Sequence, residues 1–263
     1  MTSVFREPLI NAMRTACDDM LRFSGDPARR LNAEYLFTVA VAKQIDKLNF
    51  YYGDPYQIHL EKKTREFARD CMHPVKSGNP MQRSSFKIRK GFPRLARNGR
   101  IDIAVYQDIP NNGDLGSQPV CAIELKGFNP ARNLVLKDLR RNLEFFSVIG
   151  PTGASVLGSA LFGALHCWPK IETECEETQK YEALRAKYEG CLSQLPKLSN
   201  IHSAVSVHEV RKNLEGEVVE DGGYQVLDMD YRHNFAGVIV EFTATGISHQ
   251  DTADGANGFV FLC

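Results

Sequence analysis

Two stretches decide the fold, Arg100-Ile-Asp-Ile-Ala-Val-Tyr106 and Pro119-Val-Cys-Ala-Ile-Glu-Leu-Lys126. Each is short, rich in β-branched residues and alternating, the pattern of a strand packed on one face. Pro110-Asn-Asn-Gly-Asp-Leu-Gly116 lies between them and is dense in turn formers. Two such runs joined by such a loop predict an antiparallel hairpin. The hairpin carries charge where its neighbours are apolar. Asp102 stands among Ile101 and Ile103, and Glu124 among Ile123 and Leu125. Strand side chains alternate faces, so Glu124 and Lys126 point one way while Leu125 points into the core.

Working outward, a helix is predicted over 27–48, with Asp26 as N-cap and Pro27 at the first helical position. Leu31, Tyr35, Val39, Ala42 and Ile45 repeat there at helical spacing. An earlier helix covers 7–22, and 57–72 reads as a polar helix. After the hairpin, a helix over 133–148 sets Val135, Leu139, Leu143 and Phe146 on one face. Lys137, Arg140, Arg141 and Glu144 fall on the other. Ser155 to Cys167 is an apolar run expected to be a buried strand, with Cys167 and Trp168 in the core. A charged helix spans 172–194, and strands follow at 204–210, 224–229, 237–243 and 258–262. This order predicts an α/β chain with a mixed central sheet flanked by helices. Residues 1–170 form the core with its N-terminal helices. Residues 171–263 form a helix plus a strand-rich extension packed on the same domain.

The 263 residues include 43% hydrophobic and 24% charged side chains, which excludes a disordered chain or a fibre. Thirty-two basic residues balance 32 acidic ones. The charge is unevenly placed, however. Residues 83–100 carry seven positive charges and no acid, whereas 213–230 carry six acids and no base. Seven cysteines contain no CxxC pair, which removes support for zinc-ribbon, thioredoxin and iron–sulfur ligation. Reduced thiols and the charged N-terminal residues Arg6, Glu7, Arg14, Asp18 and Asp19 predict a soluble cytoplasmic protein without a signal peptide. The longest weakly polar stretch, Ser155–Trp168, has only 14 residues and cannot span a bilayer. Neither GxxxxGK[ST] nor GxSxG occurs, so no P-loop or nucleophile elbow is expected.

Carboxylates placed in otherwise apolar strands are costly unless they meet one another's counter-charges or a cation. Two carboxylates and an adjacent lysine suit metal-dependent phosphodiester hydrolysis. The acids bind Mg²⁺ or Mn²⁺, the ion lowers the pKa of a bound water, and the lysine stabilises developing charge. Asp102, a 21-residue gap and Ile123-Glu124-Leu125-Lys126-Gly127 together resemble the motif of the PD-(D/E)xK nuclease superfamily. The resemblance covers roughly 27–168, the helix–hairpin–helix–strand core of that family. One departure is Ile101, where the family motif has proline before the aspartate. The resemblance implies a restriction-endonuclease-like fold and a Mg²⁺-dependent nuclease, an endonuclease acting on DNA. Asp102, Glu124 and Lys126 would be catalytic, with Asp102 and Glu124 on the metal. Glu34, in the preceding helix, would assist them there.

The basic stretch leads directly into Asp102. Lys87, Arg89, Lys90, Arg94, Arg97 and Arg100 are therefore candidates for holding a nucleic-acid backbone. Cutting both strands of a duplex calls for two active sites, which a homodimer would supply. Asp228, Asp230 and His233 form a DxDxxH cluster, a weaker metal candidate that equally suits a polar strand end. The bland alternatives are a structural ion pair on a wet sheet face and a solvated basic loop. Among functional alternatives are a non-catalytic nucleic-acid-binding or assembly module on the same fold, and a protein-binding domain using the acidic C-terminal surface.

Overall fold

The computed structural model describes residues 3–25, 33–53, 55–73, 75–77, 86–88, 91–95, 98–108, 117–150, 153–169 and 174–245. Two helices come first, α1 (Arg6–Ser24) and α2 (Ala33–Tyr52), followed by β1 (Tyr56–Lys63) and the short α3 (Thr64–Asp70). Two three-residue strands, β2 (Val75–Ser77) and β3 (Phe86–Ile88), pair with each other. The hairpin strands are β4 (Arg100–Asp108) and β5 (Ser117–Phe128), followed by α4 (Arg132–Phe146). A small ribbon, β6 (Ile149–Gly150) and β7 (Gly153–Ala154), leads into β8 (Ser159–Pro169). The chain continues through α5 (Glu174–Leu192), β9 (Ile201–Asp221) and β10 (Tyr224–Ala244).

Six strands form one mixed sheet in the order β1-β4-β5-β8-β10-β9. β4 and β5 pair antiparallel, with Ile103 opposite Ile123 and Ala104 opposite Ala122, as the alternation predicts. β5 and β8 are parallel. A parallel pair needs a crossover, and α4 supplies it. β10 is antiparallel to β8, so residues beyond 171 complete the same sheet.

The sheet is buried on both sides. Leu9, Met13 and Met20 of α1 and Phe37, Val41 and Ile45 of α2 cover one face, against Ile103, Ile123, Leu125 and Leu161. Phe67 of α3, Leu139 and Phe145 of α4 and Tyr188 of α5 cover the other, against Ala104, Ala122, Phe162 and Val238. Each fully buried Leu, Ile or Phe contributes about 1.5–3 kcal/mol of transfer free energy. Gly163 permits close packing on the α1–α2 side, because a Cβ there would lie 3.1–3.4 Å from Leu125, Phe37 and Leu9. Asn142 of α4 donates to the Leu161 carbonyl at 2.9 Å, which ties the crossover helix to β8.

Three expectations need correction. Residues 57–72 are not one helix but strand β1 followed by α3. Tyr56, Ile58 and Leu60 alternate with polar residues, and pairing along β4 from Gln107 to Arg100 outweighs local helix propensity. The separate strands expected at 204–210, 224–229 and 237–243 are parts of two 21-residue strands, β9 and β10. Register shifts around Asp228–Ala236 break their alternation, which hides the continuity from a periodicity reading. Cys167 and Trp168 are only half-buried at the strand end, with Trp168 edge-on to Tyr181 at 5.9 Å. Asp26, Pro27 and the strand expected at 258–262 lie outside the described residues.

Candidate functional site

The site is built at the C-terminal end of β5. Asp102 lies one position beyond the paired Ile103 and Ile123, so it and Glu124 meet across the hairpin on the face covered by α4. A side-chain oxygen of Asp102 accepts the backbone N–H of Leu125 at 2.6 Å. Lys126 follows Glu124 on the same face. Its ammonium lies 3.1 Å from Glu34 Oε1, donates to the Leu125 carbonyl at 2.9 Å, and sits 3.3 Å from Asp138 Oδ2. Glu34 is in the first turn of α2, brought near by Gly127. A Cβ on that glycine would stand 3.4 Å from the Glu34 amide nitrogen.

Two residues join that sequence reading did not assign to the site, Asp138 and Arg141 of α4. They are three residues apart and therefore neighbours on one helix face. Arg141 Nη2 bonds to Asp138 Oδ1 at 3.0 Å and to Glu124 Oε2. Helical spacing sets Arg141 on the charged face of its helix with Lys137 and Arg140, yet it is buried, 8% exposed. The signal lies in Asp138, a carboxylate within the buried apolar stripe of Val135, Leu139 and Leu143. A charge there demands a cation one turn away on the same face.

Glu124 has no exposed surface and Asp138 is 3% exposed. Burial raises the Glu124 carboxyl well above its ordinary range, the Asp102 charge raises it further, and Arg141 opposes both. Asp102 is raised to about 6, chiefly by burial, with the Leu125 amide and Lys126 pulling the other way. Burial alone would lower Lys126, but Asp138, Glu34 and Asp102 outweigh it and the ammonium is raised. Lys126 is therefore a permanent cation at neutral pH and not a proton acceptor.

Four carboxylates, Glu34, Asp102, Glu124 and Asp138, thus converge with only two cations, Lys126 and Arg141. The formal excess is two negative charges. Among the described residues, Glu124 Oε1 is buried without a hydrogen-bond partner, and Asp138 Oδ2, although near Lys126, is not in hydrogen-bonding geometry. Buried acceptors of this kind are costly and suit a further cation or ordered water. Among the described residues, no three His, Cys, Asp or Glu side chains form a ready-made ligand set. Mg²⁺ asks for less, since one or two carboxylates suffice when waters and substrate phosphates complete its octahedron. Asp102 and Glu124 fit that requirement.

The other candidates are placed differently. Arg94 and Arg100 are exposed, and Phe92, in the same stretch, lies 5.7 and 5.1 Å from the guanidinium groups of Arg65 and Arg69. Arg89, Lys90 and Arg97, and the side chain of Lys87, lie outside the described residues. Asp228, Asp230 and His233 do not close on one point. Asp228 accepts the Asp230 amide at 2.9 Å, while buried His233 faces Glu217 at 3.6 Å. His166 is also buried, bridging Asn129 and Tyr188 at 3.1 and 2.9 Å. Burial and Lys187 lower it to about 3, so it is a neutral structural link. Among the described residues, no helix is long and apolar enough to cross a membrane. No family model, curated protein or solved structure matches the chain.

Proposed function

We propose that the protein is a metal-dependent nuclease of the PD-(D/E)xK type with a restriction-endonuclease-like core, acting on DNA. One observation carries the reading. Glu34, Asp102, Glu124 and Lys126, expected together from the sequence, meet at one end of one sheet with a formal excess of two negative charges. Asp102 and Glu124 would hold Mg²⁺ or Mn²⁺, with Glu34 assisting. An ion held there would supply a water of lowered pKa and neutralise charge on the phosphate.

The chain's own residues do the rest. Asp102 is held by the Leu125 amide, so its carboxylate is oriented before any ligand arrives. Lys126, kept charged by Glu34 and Asp138, orients the attacking water and stabilises the charge that builds on the phosphoryl oxygens. Asp138 and Arg141 act through Lys126 and Glu124 and are positioning residues.

A second reading, a non-catalytic nucleic-acid-binding or assembly module on the same fold, is favoured by a different observation. Arg141 already supplies Glu124 with a counter-charge, which is also how a purely structural ion network would look. Cleavage assays separate the two. The enzyme should nick or degrade duplex DNA with Mg²⁺ or Mn²⁺ and stop with EDTA, and Asp102→Asn and Lys126→Met should each abolish cleavage while remaining folded. Equal activity of wild type and both variants, or none under any divalent ion, rejects the nuclease.

A further inference from the structure

The sheet does not end where its neighbours do. β8 pairs with β10 only as far as Pro169 opposite His233. Beyond that point β9 and β10 continue alone, from Glu215 opposite Arg232 to Asp221 opposite Tyr224, with no third strand among the described residues. At about 3.3 Å per residue, this two-stranded ribbon reaches about 25 Å beyond the sheet.

Each face of the ribbon mixes apolar and acidic side chains. Residues directly opposite in an antiparallel pair share a face. Leu227 stands opposite Val218, and a Cβ on Gly216 would lie 3.0 Å from Leu227 and 3.7 Å from Met229. Glu220 and Gln225, each two positions from Val218 or Leu227, share this face, on which Val218, Leu227 and Met229 are 40%, 56% and 54% exposed. The other face carries Asp228 opposite Glu217, Val226 opposite Val219, and Tyr224 opposite Asp221 near the tip. An isolated two-stranded ribbon is marginal in water without an apolar face to bury. Its acids disfavour nucleic acid as the covering surface, because they repel phosphate.

Charge identifies a fitting occupant. The chain is neutral overall, so six acids and no base in 213–230 leave the remainder with an excess of six positive charges. A second copy of the chain is thus complementary to the arm. The outer face of α4 matches best. Arg132, Lys137 and Arg140 are exposed there, Leu134 is 44% exposed beside them, and Asp138, the one acid between 131 and 143, is buried. We propose that the ribbon is a dimerisation arm whose apolar and acidic side chains seat on the basic outer face of α4 in a second copy. The contact would have an apolar centre and a charged rim, and added salt should weaken it.

The test is sedimentation equilibrium of the full chain from low micromolar to about 100 µM, where even a weak dimer forms, with circular dichroism confirming each fold. Wild type should dimerise. Leu227→Ser with Met229→Ser, and separately Glu220→Lys with Asp230→Lys, should each raise the dimer dissociation constant at least about tenfold, some 1.4 kcal/mol. Adding Arg132→Glu and Arg140→Glu to the second pair should restore dimerisation, since both sides are then reversed. A wild-type monomer throughout the range overturns the proposal. So does a dimer that the arm variants leave unchanged, or one that the fourfold reversal fails to restore.

Discussion

The Lys126 ammonium lies 3.1 Å from a carboxylate oxygen of Glu34, 92 positions earlier in the chain. Gly127 lets the start of α2 approach the end of β5, and Asp138 holds the same ammonium from the opposite side of the sheet. Two helices on opposite faces therefore converge on one lysine. The pair is solvated on one side, since the Glu34 side chain is 42% exposed. Its net stabilisation is accordingly about 0–1 kcal/mol.

That weak coupling makes Glu34→Gln informative. Thermal stability should change by less than about 1 kcal/mol. If Glu34 completes the metal shell, the Mg²⁺ concentration needed for half-maximal cleavage should rise. A Mg²⁺ titration of the variant with an unaltered midpoint would confine Glu34 to holding Lys126.

Arg141 should behave in the opposite way. Glu124 is fully buried, and removing its partner strands a charge. Arg141→Met is expected to cost about 3–5 kcal/mol in urea unfolding. Adding Glu124→Gln removes the stranded charge and should recover much of the loss. A cost below about 1 kcal/mol for the single variant would mean that Glu124 is neutral in the folded protein at the pH of measurement.

Asp102 sets a pH dependence whose sign can be worked out. Its folded pKa is about 6, above its ordinary 3.8. The folded state therefore binds the proton more tightly. This favourable contribution is complete below about pH 4 and is lost as pH rises through 6. At pH 7 the ionised group costs up to about 3 kcal/mol. Asp102→Asn keeps an acceptor for the Leu125 amide and removes the charge. It should be more stable than wild type at pH 7, with the advantage vanishing near pH 4, while cleavage is abolished. Unfolding midpoints from pH 4 to 8 check this.

Metal uptake should run against that proton. Asp102 must ionise to bind the ion, so Mg²⁺ affinity should rise as pH increases from 5 to 7. Calorimetry in two buffers of different ionisation enthalpy would detect the released proton. A pH-independent affinity would exclude Asp102 as a ligand.

For the basic stretch, binding through phosphates predicts a salt effect without sequence preference. Neutralising Arg89, Lys90 and Arg94 in the cleavage-dead Asp102→Asn background should weaken duplex binding uniformly. The log–log salt slope should fall by about 0.9 for each phosphate that the variant no longer neutralises. An unchanged slope would mean a solvated loop.

Much of the architecture was legible in the residues alone. The hairpin of β4 and β5 follows from alternation and a turn-rich loop. Helices α2 and α4 follow from helical spacing, and strand β8 from an apolar run. Local pattern suffices for these elements because each must hide one face, and the period of that face is written in consecutive residues. The same rule put Glu124 and Lys126 on one side of β5 and Leu125 on the other.

Pattern failed where a distant neighbour decided the outcome. Residues 57–63 are a strand because β4 offers a free edge, and β9 and β10 stay continuous through irregular register because they pair with each other. Arg141 looks like Arg140 in sequence, one more base on a charged helix face. Only the docking of α4 over β5 turns one into a buried counter-ion for Glu124 and leaves the other in water. Which residues are apolar, charged or able to turn was determined by the sequence. Which charges share a site was decided by tertiary structure, because a buried carboxylate is tolerated only where another element delivers its partner.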